Sequence, residues 1–205
     1  MLKNWHLTLL GVAILVVMAA IGYKFWGIQQ AKKDIHSTAF NEFSGPADAP
    51  IELIEFVDYR CSACRRKHQD LQTLLKNNSD LKIIYRHYPV FGPQAADEAA
   101  MALGANAQGK FNEMHELLIT REKPVKESDM PAILRELNMD YKQFMTQWRT
   151  PEIGAQIVKN MDNALLLGIN STPTFYLNNK RIGQGIQMPT LEEMQAAIDK
   201  AREKL

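Results

Sequence analysis

The chain has two cysteines, Cys61 and Cys64. They stand three positions apart where a strand pattern gives way to a helix pattern, and no other feature restricts the fold as strongly. Ile51 to Val57 carries apolar residues on both faces, as a central strand covered on both sides does. From Ser62 to about Lys76 the pattern turns helical, with Leu71, Leu74 and Leu75 on one side, and Asn77-Asn78 stop it. Leu81 to Tyr88 reads as a second strand. The sequence thus predicts a strand-helix-strand unit with the cysteine pair at the C-terminal end of the first strand and the N-terminus of the helix. Open α/β sheets place their active groups at that edge.

Downstream, Gly92-Pro93 breaks the pattern, and helices are expected over Ala95–Ala107, Phe111–Ile119, Asp129–Leu137 and Tyr141–Trp148, with Ser128 and Asp140 as N-caps. Thr150 before Pro151 opens a longer helix with Ile153, Ile157, Met161 and Leu165 on its apolar face, and Gly168 ends it. Thr174–Leu177 and Lys180–Ile182 form a hairpin about Asn178-Asn179. A last helix opens with a capping box from Thr190 to Glu193. The order is βαβ, helical block, αββα: one α/β sheet domain over residues 45–205, with a helical insertion near 93–150.

Residues 1–26 form a separate segment. No charge occurs from Leu7 to Tyr23, and Trp5 on one side with Tyr23, Phe25 and Trp26 on the other resembles an interfacial aromatic belt. The length lies between a signal-peptide core and a spanning helix; the belt and the lack of a small-x-small cleavage site favour an uncleaved anchor over a cleaved signal. A count of Lys3 against Lys24, Lys32 and Lys33 opposes placing the remainder outside the cytoplasm. Residues 27–44 read as a helical stalk with Ile28, Ala31, Ile35, Ala39 and Phe43 on one face, suited either to a homodimer contact or to packing on its own domain. With 24 Lys+Arg against 23 Asp+Glu the net charge is +1, without the basic excess a nucleic-acid surface needs.

At a helix N-terminus the Cys61 sulfur meets unpaired backbone N–H groups and the positive end of the helix dipole, which lowers its pKa. Arg60, Arg65, Arg66 and Lys67 are expected to push the same way. Cys64, one turn on, is placed to attack a mixed disulfide formed on Cys61. As a structural staple the pair closes too short a loop to constrain the unfolded chain much. As a metal half-site it is joined by His68, in a Cys-x-x-Cys-x-x-x-His pattern for zinc or copper, with no evident fourth ligand unless His87 is near. Glu55 is an acid inside an apolar strand; buried, its pKa would rise and it would exchange protons with Cys64, whereas at the sheet's rim it would be a solvated carboxylate. His87, His115 and Met188 read as packing or surface residues.

The combination of Glu55-Phe56, Cys61-Ser62-Ala63-Cys64, the helical insert, Thr172-Pro173-Thr174-Phe175 and Gly183-Gln184-Gly185 resembles the DsbA-like branch of the thioredoxin superfamily. The resemblance implies a thioredoxin fold with an inserted helical domain and a thiol:disulfide oxidoreductase without a cofactor or metal. It makes Cys61 the nucleophile, Cys64 the resolving thiol, and Thr172 with a cis Pro173 the substrate-docking loop. It further implies periplasmic client proteins and a DsbB-like or DsbD-like membrane redox partner, the net direction, oxidase against isomerase or reductase, staying open. Ser62-Ala63 lacks the histidine of the oxidant DsbA, which removes one source of thiolate stabilisation and implies a less oxidising pair.

Overall fold

Strand β2 (Ile51–Val57) is flanked on one side by β3 (Leu81–His87), which runs parallel to it, and on the other by β4 (Thr174–Leu177), which runs antiparallel. Glu55 is in register with Tyr85 on one neighbour and Phe175 on the other. The computed structural model describes residues 5–184 and 188–205. The full sheet order is β1-β3-β2-β4-β5, with β1 (Phe43–Ser44) beside β3 and β5 (Lys180–Gln184) beside β4. This mixture of directions brings the loop after β2, the loop after β3 and the loop before β4 to one edge of the sheet.

Alternation along β2 sorts the core into two layers. Leu53 and Val57 join α2 (Ser62–Asn77), the inserted helices and α8 (Leu191–Arg202) in the larger cluster, while Ile54 and Phe56 join Ile84 and Tyr176 in the other. The second layer is covered by α7 (Pro151–Leu166) through Ala164 and by Ile35, just beyond the end of α1 (Trp5–Asp34). Between β3 and α7 lie α3 (Pro93–Ala105), α4 (Phe111–Thr120), α5 (Met130–Glu136) and α6 (Tyr141–Gln147). This is the thioredoxin-like α/β fold expected from the sequence, with an N-terminal apolar helix ahead of it.

The local signals hold in most places. Asp140 caps α6 by accepting from the Gln143 N–H at 2.6 Å, and the Thr190–Glu193 capping box is formed. Asn178 and Asn179 both have positive φ, 47° and 62°, as a tight hairpin between right-twisted strands requires. Gly168 at φ 67° lets the Ile169 N–H return to the Ala164 carbonyl and close α7. Ser128, expected as a cap, sits instead inside a 3-10 turn, Glu127–Asp129, ahead of α5. Thr150 occupies the position before α7 without a side-chain cap bond. Gly185 lies outside the described residues.

Two readings of the N-terminal region need correction. The helix does not run to residue 44: it ends at Asp34, and the chain then turns into β1, a strand the sequence did not announce. Nor is its apolar face free for a second chain, since Ala31 and Ile35 are buried against the protein's own domain while Ala39 is exposed. Among the described residues one helix is long and apolar enough to cross a membrane: Leu9–Asp34, mean hydropathy 2.0 in its most apolar window, none of that window buried.

The insert is seated by one close approach. A Cβ on Gly104 of α3 would lie 2.5 Å from Cβ and 2.6 Å from Cα of Trp148, whose indole stacks on Phe144 in the core. Backbone cannot yield as a flexible side chain does, so overpacking here is costly. Gly104→Ala is expected to lower the denaturant unfolding free energy by about 2 kcal/mol or more; a value within about 0.5 kcal/mol of the parent would show that α3 and α6 are not held this tightly.

Candidate functional site

The sheet edge described above carries Cys61, Thr172 and Pro173 together. Cys61 is the N-cap of α2, with extended backbone at φ −79° and ψ 112°. Its thiol donates to the Thr172 carbonyl at 3.3 Å, and the Thr172–Pro173 peptide is cis. Both cysteines are free thiols here. Cys61 keeps 4% of its surface and Cys64 none, so the nucleophile candidate is far less exposed than a helix N-cap suggests, although it remains the more accessible of the two.

Their acidities diverge. Cys61 is lowered from 9.0 to about 5, chiefly by a hydrogen bond from the Cys64 thiol, which outweighs the opposing effect of burial; the Thr172 side chain and the backbone N–H groups of Cys64 and Ala63 add to it. Cys64 is pushed well above the usual thiol range, first by burial and then by its bond to Cys61. The result is one thiol ready as an anion and one held as a proton store. It is reached without a histidine between the cysteines, because the second cysteine itself supplies the main stabilising donor.

Glu55 is 2% exposed, inside the larger core cluster's layer, and not at a solvated rim. Burial raises its carboxyl well above the carboxylate range, with the Cys61 charge adding to the effect, and its charge in turn raises Cys64. Asp58, three residues on, ties the site together. Its carboxylate accepts from the Arg60 N–H at 2.7 Å and the Phe91 N–H at 3.0 Å, and its carbonyl accepts from the Cys61 N–H at 3.0 Å. The loops after β2 and β3 are therefore clamped to each other next to the dithiol.

The basic residues do something other than expected. The Arg60 guanidinium pairs with Glu98 at 3.4 Å and donates to the Glu122 carbonyl; Arg65 donates to the Arg121 carbonyl at 3.0 Å. Lys67 is buried, donating to Asp70 at 2.6 Å and to the Pro189 carbonyl at 2.8 Å. These cations hold the segment after α4 and the segment before α8 onto α2, and the thiolate depends on its hydrogen-bond donors instead. His68 likewise is engaged with Glu116 at 2.7 Å, and no group of three or more metal-ligating side chains occurs among the described residues.

One cluster escaped the sequence reading. The Tyr59 hydroxyl lies between His115 Nδ1 at 2.8 Å and His87 Nε2 at 3.1 Å, and the His115 ring lies 4.0 Å from that of Tyr85. One O–H can donate only once, so one of the imidazoles donates to Tyr59. Burial, then the charges of His68 and His87, hold His115 well below the usual histidine range. Both histidines are core residues, not surface ones. Their partners are 28 and 56 residues away in sequence, and no local spacing marks them.

The thioredoxin family's sequence model matches residues 39–200, and the chain belongs to that family. A thioredoxin-like oxidoreductase from Silicibacter pomeroyi DSS-3 is 29% identical and superposes with a TM-score of 0.72 over 82% of this chain and 98% of its own. The thiol-disulfide exchange protein α-DsbA2 of Wolbachia pipientis shares the fold, with a TM-score of 0.77 at 19% identity over 89% of this chain and 98% of its own. Among curated proteins, Na(+)/H(+) antiporter NhaA 1 of Mycobacterium sp. (strain KMS) is 32% identical over 142 residues, 67% of this chain but 23% of that protein. The chain spans between a fifth and a quarter of the length of the curated relatives it matches.

Two titrations test the site. Alkylation of Cys61 is expected to switch on as pH rises through about 5, and Cys64→Ala should move that midpoint upward, since the largest stabilising donor is removed. A midpoint unmoved by the substitution would place the stabilisation elsewhere. Glu55, whose folded pKa exceeds its unfolded value, costs stability increasingly as pH rises above about 4.5. Glu55→Gln should therefore be more stable than the parent by an amount that grows from about pH 4.5 upward and is absent below it; thermal midpoints across that range check the sign.

Proposed function

We propose that this chain is a membrane-anchored thiol:disulfide oxidoreductase that exchanges disulfides with cysteines of extracytoplasmic client proteins. The observation that carries the reading is the opposed shift of the two thiols: Cys61 lowered to about 5, Cys64 raised and fully enclosed behind it. A structural or metal-binding pair has no use for that asymmetry, and thiol exchange does. Membership of the thioredoxin family and the likeness to thiol-disulfide exchange proteins support it.

In the oxidising direction a client thiolate attacks Cys61 in the Cys61–Cys64 disulfide. A client–Cys61 disulfide forms, and Cys64 leaves as a thiolate and takes up a proton, for which the buried carboxyl of Glu55 is the donor. A second client thiolate attacks the client sulfur, and Cys61 leaves as the stable anion. The client loses two electrons and the dithiol gains them. Thr172 and Pro173 present a backbone edge beside Cys61 for the client chain. Reoxidation falls to a membrane redox partner, and no cofactor enters any step. The low pKa of Cys61 makes it a good leaving group and favours this direction over reduction. Residues 1–26 act as an uncleaved anchor, and the domain lies outside the cytoplasm, where disulfides persist.

Cys64→Ala is expected to accumulate mixed disulfides with clients through Cys61, seen as reducible high-mass bands in a non-reducing gel, and Cys61→Ala to accumulate none. Trapping through Cys64 instead would reverse the two roles. A topology reporter fused after Leu205 should be active only when outside the cytoplasm; activity solely from a cytoplasmic reporter would sink both the placement and the oxidative role.

A further inference from the structure

Helix α1 leaves the domain along α7, and the contact has a defined register. The Asp34 carboxylate pairs with Lys159 at 3.3 Å, and a Cβ on Gly27 would meet Leu166 Cδ2 at 3.4 Å. Asp34 to Gly27 and Lys159 to Leu166 are equal steps taken in opposite senses, so the two helices run antiparallel for about two turns. Beyond Gly27 toward the N-terminus the described residues of α1 are open to solvent: Trp26, Phe25 and Tyr23 are exposed, as is the apolar run from Leu9 to Ile21. The C-terminal end of α7 therefore lies level with the aromatic residues that border the apolar run.

That end is itself apolar and uncovered. Leu165 is 76% exposed and Leu166 38%, on a helix whose other face is buried. Lys24, on α1 just before the aromatic pair, supplies positive charge at the same end of the domain, suited to anionic headgroups, while Lys32 and Lys33 lie more than a turn further back along α1. Asp162, one turn before Leu166, is exposed and interrupts the apolar surface, which Met161 and Val158 carry further back along α7 at lower exposure than Leu165. The same end leads directly into the site. From Leu166 to Thr172 is six residues of chain, which cannot span more than about 20 Å, and the Thr172 carbonyl is 3.3 Å from the Cys61 sulfur.

We infer that the C-terminal turn of α7, Leu165 and Leu166, rests in the bilayer interface and holds the dithiol at the membrane surface, so that its exchange partners are cysteines presented at that surface. The inference rests on the reading of α1 as an anchor and gives the substrate class of the same dithiol. Exposed leucines beside an exposed apolar helix and a cation, with Leu166 packed at its edge on Gly27, fit the boundary of headgroups and acyl chains. With α1 packed in register on α7, this second contact sets the distance of the domain from the bilayer.

The test uses the full chain, reduced, in vesicles of phosphatidylcholine and phosphatidylglycerol that include phosphatidylethanolamine bearing a pyridyl disulfide on its headgroup. The Cys61 thiolate attacks the lipid-side sulfur and expels pyridine-2-thione, whose absorbance reports the rate; Cys64 then displaces the lipid thiol and closes the Cys61–Cys64 disulfide. A soluble pyridyl disulfide of glutathione is the parallel substrate. Leu165→Glu is expected to slow the lipid reaction by about tenfold, as withdrawing one leucine from an apolar phase implies, and to leave the soluble reaction unchanged. Val158→Glu, about 10 Å back along the helix, should change neither. An unaltered lipid rate in Leu165→Glu, a loss with both disulfides, or an equal loss in Val158→Glu with cross-linked dimers marking a face covered by a second copy would each overturn the inference. Failure of the parent to float with the vesicles would remove the anchor reading, and failure to react with the soluble disulfide would remove the dithiol reading, each separately from the α7 contact.

Discussion

A guanidinium with no exposed surface sits between the sheet and the segment that follows α1. Arg86 of β3 donates through Nε to the Ile35 carbonyl at 3.0 Å, and its two terminal nitrogens go to the Ser37 carbonyl and the Glu42 carboxylate. A charge taken out of water this way is tolerated only when its donors find acceptors, and removing one partner of such a pair costs about 3–5 kcal/mol. The acceptors all come from residues 35–42, and Gln156 of α7 donates to the same Glu42 carboxylate at 3.0 Å. The end of the apolar helix, the edge strand β1, its neighbour β3 and α7 thus meet on one ion pair. Through it the direction in which the N-terminal helix leaves is fixed relative to the sheet that presents the dithiol.

At the dithiol the same economy recurs. A single hydrogen bond, from the Cys64 thiol to Cys61, lowers one pKa and raises the other. The helix N-terminus and the Thr172 side chain add to the first effect, and burial together with Glu55 adds to the second. The asymmetry needs no cation at the sulfur, which frees Arg60 and Arg65 for a structural task.

The parts of this arrangement that could be read beforehand are those written in local periodicity. Ile51–Val57 alternates into two core layers, Ser62 to Asn77 follows with helical spacing, and paired asparagines at 178 and 179 demand the positive φ they adopt. From these the dithiol's place at a sheet edge follows. The fold class and the cis-proline loop came with the resemblance of the motif set as a whole. What could not be read lies in pairings across long stretches of chain. β1 is two residues long and has no pattern of its own; it exists because β3 offers an edge and Arg86 draws in Glu42. The apolar face of residues 28–35 was visible, but whether it met another chain or α7 depended on Ala164 and Leu166, more than a hundred residues later. Arg60 and Arg65 looked like thiolate partners because they adjoin Cys61 in sequence, yet their side chains are long enough to reach the Arg121 and Glu122 carbonyls instead.

Those two arginine bonds tie the helical insert to the turn that carries Cys61. The chain between α4 and α5 is fastened to Arg60, just before Cys61, and to the first turn of the helix that Cys61 caps, while Glu98 of α3 grips both Arg60 and the Val125 N–H. Any displacement of this segment is therefore carried to the backbone turn that aims the Cys61 sulfur.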